Sequence, residues 1–293
     1  MQKVVTHNGA FHADDVFAVA TLQLHFGIEN VEVIRTRDEE IIASGDIVVD
    51  VGGVYDPAHQ RFDHHQSGAP VRDNGIPYAA FGLIWKHYGE AVCGIKEIAD
   101  KIEEKLVMPI DANDNGISIY QLTEHNIKPV TISDVIAILC PARGSAEDAD
   151  ASFLPTVTLA RVIIEKTIAH AKEKAEMKAL AAEVYERTED KRVLQFDSPM
   201  SKSLMIDYPE VLFIISPEDP AGNQNWLATA IAVSKNTFEL RQRFPKDWGG
   251  LRNEELVKVS GIKGAIFCHR NGFVFVAGSK EGVLEAVEKA LEE

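Results

Sequence analysis

The chain has 293 residues, 45% of them apolar and 26% charged, the composition of a globular protein long enough for two domains of ordinary size. Its formal net charge of −15 excludes a protein that coats nucleic acid through an overall positive field, so any polyanion has to be met locally. No run of about 18 or more uncharged apolar residues is present to cross a bilayer, no basic leader opens the chain, and Cys93, Cys140 and Cys268 stand far apart; a soluble protein of the reducing cytoplasm is expected, without disulfides or a thiolate zinc site.

Residues 3–6 form a β-branched run, 14–26 carry helical spacing through Val16, Phe17, Ala20 and Leu24, and 31–37 and 46–51 read as strands. Strands alternating with helices predict a parallel sheet with crossover helices. Pro77 opens a predicted helix over 78–88, a second follows over 94–106, and a short one over 133–139 ends before Pro141. Together these make an N-terminal α/β domain over 1–148. Ser152 caps a long helix with Pro155 in its first turn, and Leu159, Ile163, Ala171, Met177, Leu180 and Val184 recur along it, giving a helical connector over 149–190. Beyond it, strands are predicted at 193–196, 211–215, 227–233, 265–268 and 273–277 with a closing helix over 281–291, so 191–293 reads as a smaller α/β or α+β domain.

Acids and imidazoles gather where the first elements end. His7, His12, Asp14 and Asp15 fall between the first strand and the first helix, Asp50 closes the strand before Val51-Gly52-Gly53, Asp63-His64-His65 follows Arg61-Phe62, and Asp111 follows an apolar run. Each alone reads equally well as a turn or cap. Their joint occurrence at element ends of one α/β domain points to the ligand crevice at the carboxyl ends of the strands. Carboxylate and imidazole donors without sulfur suit Mn²⁺, with Mg²⁺, Co²⁺ and Zn²⁺ as alternatives. Two such ions about 3.5–4 Å apart, sharing a carboxylate, acidify a water between them and clamp a phosphoryl group. In the second domain Arg241, Arg243, Lys246, Arg252, Lys258, Lys263 and Arg270 outnumber three acids over 241–270, a candidate phosphate-facing surface. Trp248 is a candidate for stacking on a base, and Gly249-Gly250 would let a phosphate approach backbone N–H groups.

Asp63-His64-His65 is the motif of the DHH phosphoesterase superfamily, and His7-Asn8-Gly9-Ala10-Phe11-His12-Ala13-Asp14-Asp15, Val49-Asp50-Val51-Gly52-Gly53 and the later Arg243-Phe244-Pro245-Lys246-Asp247-Trp248 resemble the melanocyte-proliferating-gene protein family within it. The resemblance spans the whole chain. It implies a DHH-type metal domain, a substrate-gripping second domain, and Mn²⁺-dependent phosphodiester hydrolysis of the kind carried out by 3′-to-5′ exonucleases on RNA or short single-stranded nucleic acid. Carried over, His7, Asp14, Asp50, His64 and Asp111 are metal ligands with Asp50 bridging, and His65 meets the scissile phosphate. The usual Asn-Pro-Asp of the first motif is absent and His12 stands there instead, so the roles of His12, Asp14 and Asp15 stay open; Asp15 joins Asp50 and His65 in the catalytic set. Arg241, Arg243, Arg252 and His269 are the candidate contacts to the substrate backbone. Two alternatives stand beside this reading, a hydrolase of small phosphoanhydrides or dinucleotides and a metal-stabilised nucleic-acid-binding protein without turnover. A homodimer is the base-rate expectation, and no membrane partner is expected.

Overall fold

Residues 1–142, 148–219, 224–235 and 237–292 are described by the structure, a computed structural model, and the chain divides into two units, Met1–Lys172 and Glu173–Glu293. Each is built on a five-stranded mixed sheet. In the first unit the order is β2-β1-β3-β5-β4, from β1 (Gln2–Thr6), β2 (Val31–Arg35), β3 (Ile47–Val49), β4 (Tyr55–Asp56) and β5 (Arg61–Phe62). β1 pairs in parallel with β2 and β3, and β3 with β5, as the alternation of elements predicts. β4 runs antiparallel to β5, because the short turn through Pro57–His59 leaves no room for a crossover.

Val4, Val5, Val48 and Val49 are buried, so these strands read as continuous apolar runs rather than as alternation. Val5, Val48 and Val51 pack with Ile34 and with Ile42 of α2 (Glu39–Ala43). Helix α1 (Ala13–Phe26) is buried from Ala13 through Gln23 and packs on α3 (Ala80–Cys93), with Phe17 and Phe81 ring centres 5.3 Å apart. α3 starts later than Pro77 suggests: Val71 and Pro77 form an antiparallel bridge and the Tyr78 N–H donates to the Pro70 carbonyl, which keeps 77–78 extended. α4 (Lys96–Ile102) continues through a wide helical turn, Glu103–Val107, into α5 (Met108–Asp114), so Asp111 lies on a helix and not in a turn. α6 (Ile132–Leu139) follows, and the division between the units falls inside α7 (Ala149–Arg187), which begins before Ser152 and runs through Pro155.

The second sheet has the order β6-β7-β8-β10-β9, from β6 (Val193–Gln195), β7 (Phe213–Pro217), β8 (Trp226–Ala230), β9 (Ala265–Cys268) and β10 (Val274–Ala277). The period of two is visible on β7, where Phe213 and Ile215 enter the cluster with Val283, Ala286 and Val287 of α9 (Lys280–Glu292), while Ile214 enters another with Ala181 and Val184 of α7. Helix α8 (Asn253–Ser260) has only Leu256 and Ser260 buried, a stripe too narrow for periodicity to reveal. Among the described residues no helix is long and apolar enough to cross a membrane.

Candidate metal centre

The parallel strands β1, β3 and β5 all end at one edge of the first sheet, and each delivers a polar side chain there: His7 after β1, Asp50 after β3, and Asp63-His64-His65 after β5. Asp14 and Asp15 occupy the first turn of α1 above the same edge. Asp50 is the hub. Its backbone is left-handed (φ 56°), a conformation rare outside glycine, and it turns the chain sharply out of β3 while its N–H still donates to the Phe62 carbonyl. Its Oδ2 lies 3.2 Å from His7 Nε2 and its Oδ1 3.2 Å from His64 Nε2. His7 Nε2 is also 3.2 Å from Asp15 Oδ2, and His64 Nε2 is 3.7 Å from Asp14 Oδ2 and 3.4 Å from Asp114 Oδ2.

Local hydrogen bonds aim these groups. Asp15 Oδ1 accepts the N–H groups of His12 and Val16, which leaves Oδ2 toward His7. Both carboxylate oxygens of Asp63 are already engaged. Its Oδ1 accepts from the backbone N–H groups of His64 and His65 and from His65 Nδ1 (2.7 Å), and its Oδ2 accepts from the Gly53 N–H (2.6 Å). It therefore fixes the two imidazoles: His64 points inward with its side chain 8% exposed, and His65 outward at 63% exposed.

Three sets of ligand atoms lie within 4.8 Å of one another: His7, His12 and Asp50; Asp50, His64 and His65; His12, Asp14 and Asp114. Asp14 Oδ1, Asp15 Oδ2, Asp50 Oδ1 and His64 Nε2 are buried without a hydrogen-bond partner among the described residues. The close approaches at 3.2 Å are thus not aligned hydrogen bonds, and buried polar atoms left this way are uncommon unless an ion or water meets them. Oxygen and imidazole donors so arranged fit a divalent cation.

The electrostatics agree. Burial, reinforced by the charges of Asp50 and Asp114, pushes Asp14 well above the usual carboxylate range. Burial also raises Asp15, against the pull of His7. Asp50 is buried too, yet the imidazoles of His64 and His7 close beside it hold it down to about 2. His7, whose burial disfavours a proton, is lifted to about 10 by Asp15 and Asp50. Without a cation His7 keeps its proton, and burial favours one on Asp14 as well.

Asp111 does not reach this cluster. Its Oδ2 accepts from Arg72 Nη2 at 2.6 Å and its Oδ1 from the Gly82 N–H at 3.0 Å, and burial raises its carboxyl to about 7 against the Arg72 guanidinium. Asp114, one turn on, has its Oδ2 3.4 Å from His64 Nε2. Nothing in the sequence separates the two acids except that Asp114 adjoins the helix-ending Asn115-Gly116.

In the second unit the expected contacts divide. The Arg241 guanidinium donates to the carbonyls of Met205, Ile206, Tyr208 and Val211, so it ties a loop to the sheet and does not face a substrate. Trp248 is 4% exposed and packs with Phe244 and Phe275, which removes it as a stacking platform. The Gly249 and Gly250 N–H groups are already donated to Lys246 and Cys268 carbonyls, so they are not open to a phosphate; a Cβ at Gly249 would stand 2.7 Å from the Arg270 carbonyl oxygen, and Gly250 has φ 87°. Arg243 and Arg252 are exposed, and Arg243 lines a cleft of about 570 Å³ with Lys246 and Arg270. His269 is half-buried against Phe273.

Fold and site define a two-unit α/β protein with a carboxylate–imidazole cluster at the carboxyl edge of its first sheet. The sequence profile MYG1_exonuc, described as an uncharacterised protein family (UPF0160), matches residues 3–291, and the chain belongs to that family. It is 30% identical to MYG1 protein C694.04c of Schizosaccharomyces pombe, over 99% of this chain and 97% of that protein. It is 31% identical to MYG1 exonuclease of Homo sapiens, over 99% of this chain and 85% of that protein. Among solved structures, a pGpG-specific phosphodiesterase from Vibrio covers 99% of this chain and 96% of its own at 16% identity, with a TM-score of 0.31, too low to define a shared fold.

Proposed function

We propose that this chain is a DHH-type, cation-dependent phosphodiesterase that shortens single-stranded RNA from its 3′ end, with the chemistry in the first unit and strand binding in the second. Membership of a family that includes the human MYG1 exonuclease supports a nuclease. The observation that carries the reading is Asp50, whose two oxygens each face a different imidazole at 3.2 Å, as a carboxylate shared by two cations must.

On this reading His7, Asp15 and Asp50 would hold one divalent ion and Asp14, Asp50, His64 and Asp114 a second, with exposed His12 nearby; Mn²⁺ suits the donors best, with Mg²⁺, Co²⁺ or Zn²⁺ as alternatives. Bound cations supply positive charge to the phosphoryl group and acidify water. His65, exposed and held through Nδ1 by Asp63, is the imidazole that would meet a phosphate oxygen.

Asp50→Ala is expected to abolish Mn²⁺-dependent hydrolysis of a labelled oligoribonucleotide and to reduce bound metal, with the circular dichroism spectrum unchanged. Undiminished turnover would remove the assignment. Rates on pyrophosphate, a dinucleotide and a long oligoribonucleotide, compared side by side, separate a strand-shortening enzyme from a hydrolase of small phosphoesters.

A further inference from the structure

On the second unit a row of rings and cations lies outside the core. The Arg252 guanidinium sits 4.3 Å over the Phe267 ring, Phe267 is 6.2 Å from the His269 ring, His269 lies 3.9 Å from Phe273, and Lys202 Nζ is 4.6 Å over Phe273. The row ends in a cleft of about 470 Å³, lined by Lys202, Lys235, Phe238, His269 and Phe273 among others. That volume falls inside the roughly 300–1,000 Å³ of small-ligand sites. Phe238 is 100% exposed, and a large aromatic side chain left wholly in water at the edge of an apolar cleft has surface to gain from an occupant.

The occupant's chemistry follows from the lining. Two lysines flank the rings in a chain whose net charge is −15, so the cleft suits a ligand that is both flat and anionic. His269 Nδ1 accepts the Asn271 N–H at 3.1 Å, which places the proton of the neutral ring on Nε2 as a donor. We infer that this cleft takes a nucleobase of single-stranded nucleic acid, stacked against Phe273, His269 and Phe238, with Lys202 and Lys235 meeting the neighbouring phosphates. The stacking expected of Trp248 is thereby assigned to side chains that solvent can reach. The inference rests on the reading of the substrate as nucleic acid, but not on the hydrolytic chemistry.

The test uses the full chain with cations chelated, so that nothing is cleaved, and a fluorescein-labelled oligouridylate of about eight nucleotides, within the span of one binding module. Phe238→Ala removes an exposed ring and is expected to weaken Kd by about five- to a hundredfold, the range carried by one lost base stack. Phe273→Leu keeps the apolar volume and should act in the same direction. Lys202→Gln with Lys235→Gln should lower the slope of log affinity against log salt by roughly one to two. A 4-thiouridine version of the probe should photocrosslink to peptides containing Phe238, His269 or Phe273. Wild-type affinity in both ring variants, crosslinks confined to other peptides, or no binding of the oligonucleotide at all would each overturn the cleft. Cleavage by a wild-type protein whose ring variants bind normally sinks the cleft and leaves the hydrolase standing; crosslinking at the cleft with no cleavage under any divalent cation does the reverse.

Discussion

Alanine at position 82 should destabilise the protein even though Gly82 lies in helix α3. In an unencumbered helix Gly→Ala gains about 1 kcal/mol. Here a Cβ would overlap Asp111 Oδ2 and stand 2.6 Å from Arg72 Nη2. Neither group can retreat. Arg72 donates through Nε to Glu103 Oε1 at 2.6 Å and through Nη1 to the Pro77 carbonyl at 3.1 Å, with its guanidinium 3.9 Å over the Tyr78 ring, and Asp111 is fully buried. The methyl group must therefore expel the Asp111 carboxylate, breaking its 2.6 Å contact with Arg72 and its 3.0 Å bond from the Gly82 N–H. Breaking a buried pair so that its members are left unmatched costs about 3–5 kcal/mol. Less the helix gain of about 1 kcal/mol, a net loss of about 2–4 kcal/mol remains. In a unit of this size each kcal/mol moves the melting midpoint by about 2–4 °C, so Gly82→Ala should melt about 4–16 °C below the native chain. The measurement belongs near pH 8, above the value of about 7 to which burial raises Asp111. Asp114 rides on the same helix, so Mn²⁺ affinity by titration calorimetry should fall as well. A variant that melts at or above the native temperature refutes the reasoning.

Asp63→Asn puts an amide donor against groups that already donate, the Gly53, His64 and His65 N–H groups, and should cost about 1–3 kcal/mol in urea unfolding while lowering turnover more than metal content; unchanged turnover would show that Asp63 does not position the imidazoles. His7 keeps its proton up to about 10 without a cation, so Mn²⁺ binding at pH 7.5 should release protons and tighten as pH rises; calorimetric enthalpies that do not vary with the buffer's ionisation enthalpy would contradict this. Arg241→Met strands the carbonyls of Ile206, Tyr208 and Val211 and is expected to lower stability by about 2–4 kcal/mol while leaving the salt dependence of RNA binding unaltered; a flatter salt slope would return Arg241 to the substrate surface. Trp248→Ala should cost about 3–5 kcal/mol in thermal unfolding through the cavity left between Phe244 and Phe275, and a loss below about 1 kcal/mol would place the indole outside the core.

Local pattern made part of this molecule legible from sequence. β1, β3 and α1 announce themselves because their burial is nearly complete and their apolar runs unbroken, and Asp50 stands out because it follows such a run directly, while His7 and Asp63-His64-His65 stand out by their residue types alone. β4 and β5 have two residues each, too few for any periodicity, and α8 buries one large side chain. Where structure and sequence pattern part, the cause is a partner distant in the chain. Asp111 and Asp114 lie three apart on one helix, and Arg72 decides between them from 39 residues earlier. Arg241 reads as a free cation until the loop carrying Met205 to Val211 folds under it, and Trp248 as a platform until Phe275 covers it. Composition ranks such side chains by type; only tertiary contact says which of their atoms are already engaged.

The same distinction bears on why the cluster is built on rigid elements. Asp14, Asp15 and Asp50 are each no more than 3% exposed, and three of their oxygens have no hydrogen-bond partner among the described residues. Buried negative charge of this kind tends to protonate or to move apart. Burial moves Asp14 and Asp15 in the first direction, but the second is blocked: Asp15 is pinned by two N–H groups at the start of α1, and Asp50 is locked by a left-handed backbone whose own N–H remains in the sheet. A carboxylate on a flexible loop would relax toward solvent and present its lone pairs to a cation only after reordering. Held at the ends of β1 and β3 and in the first turn of α1, these oxygens keep their aim without an ion, which would make the cluster a preorganised site for a positive charge.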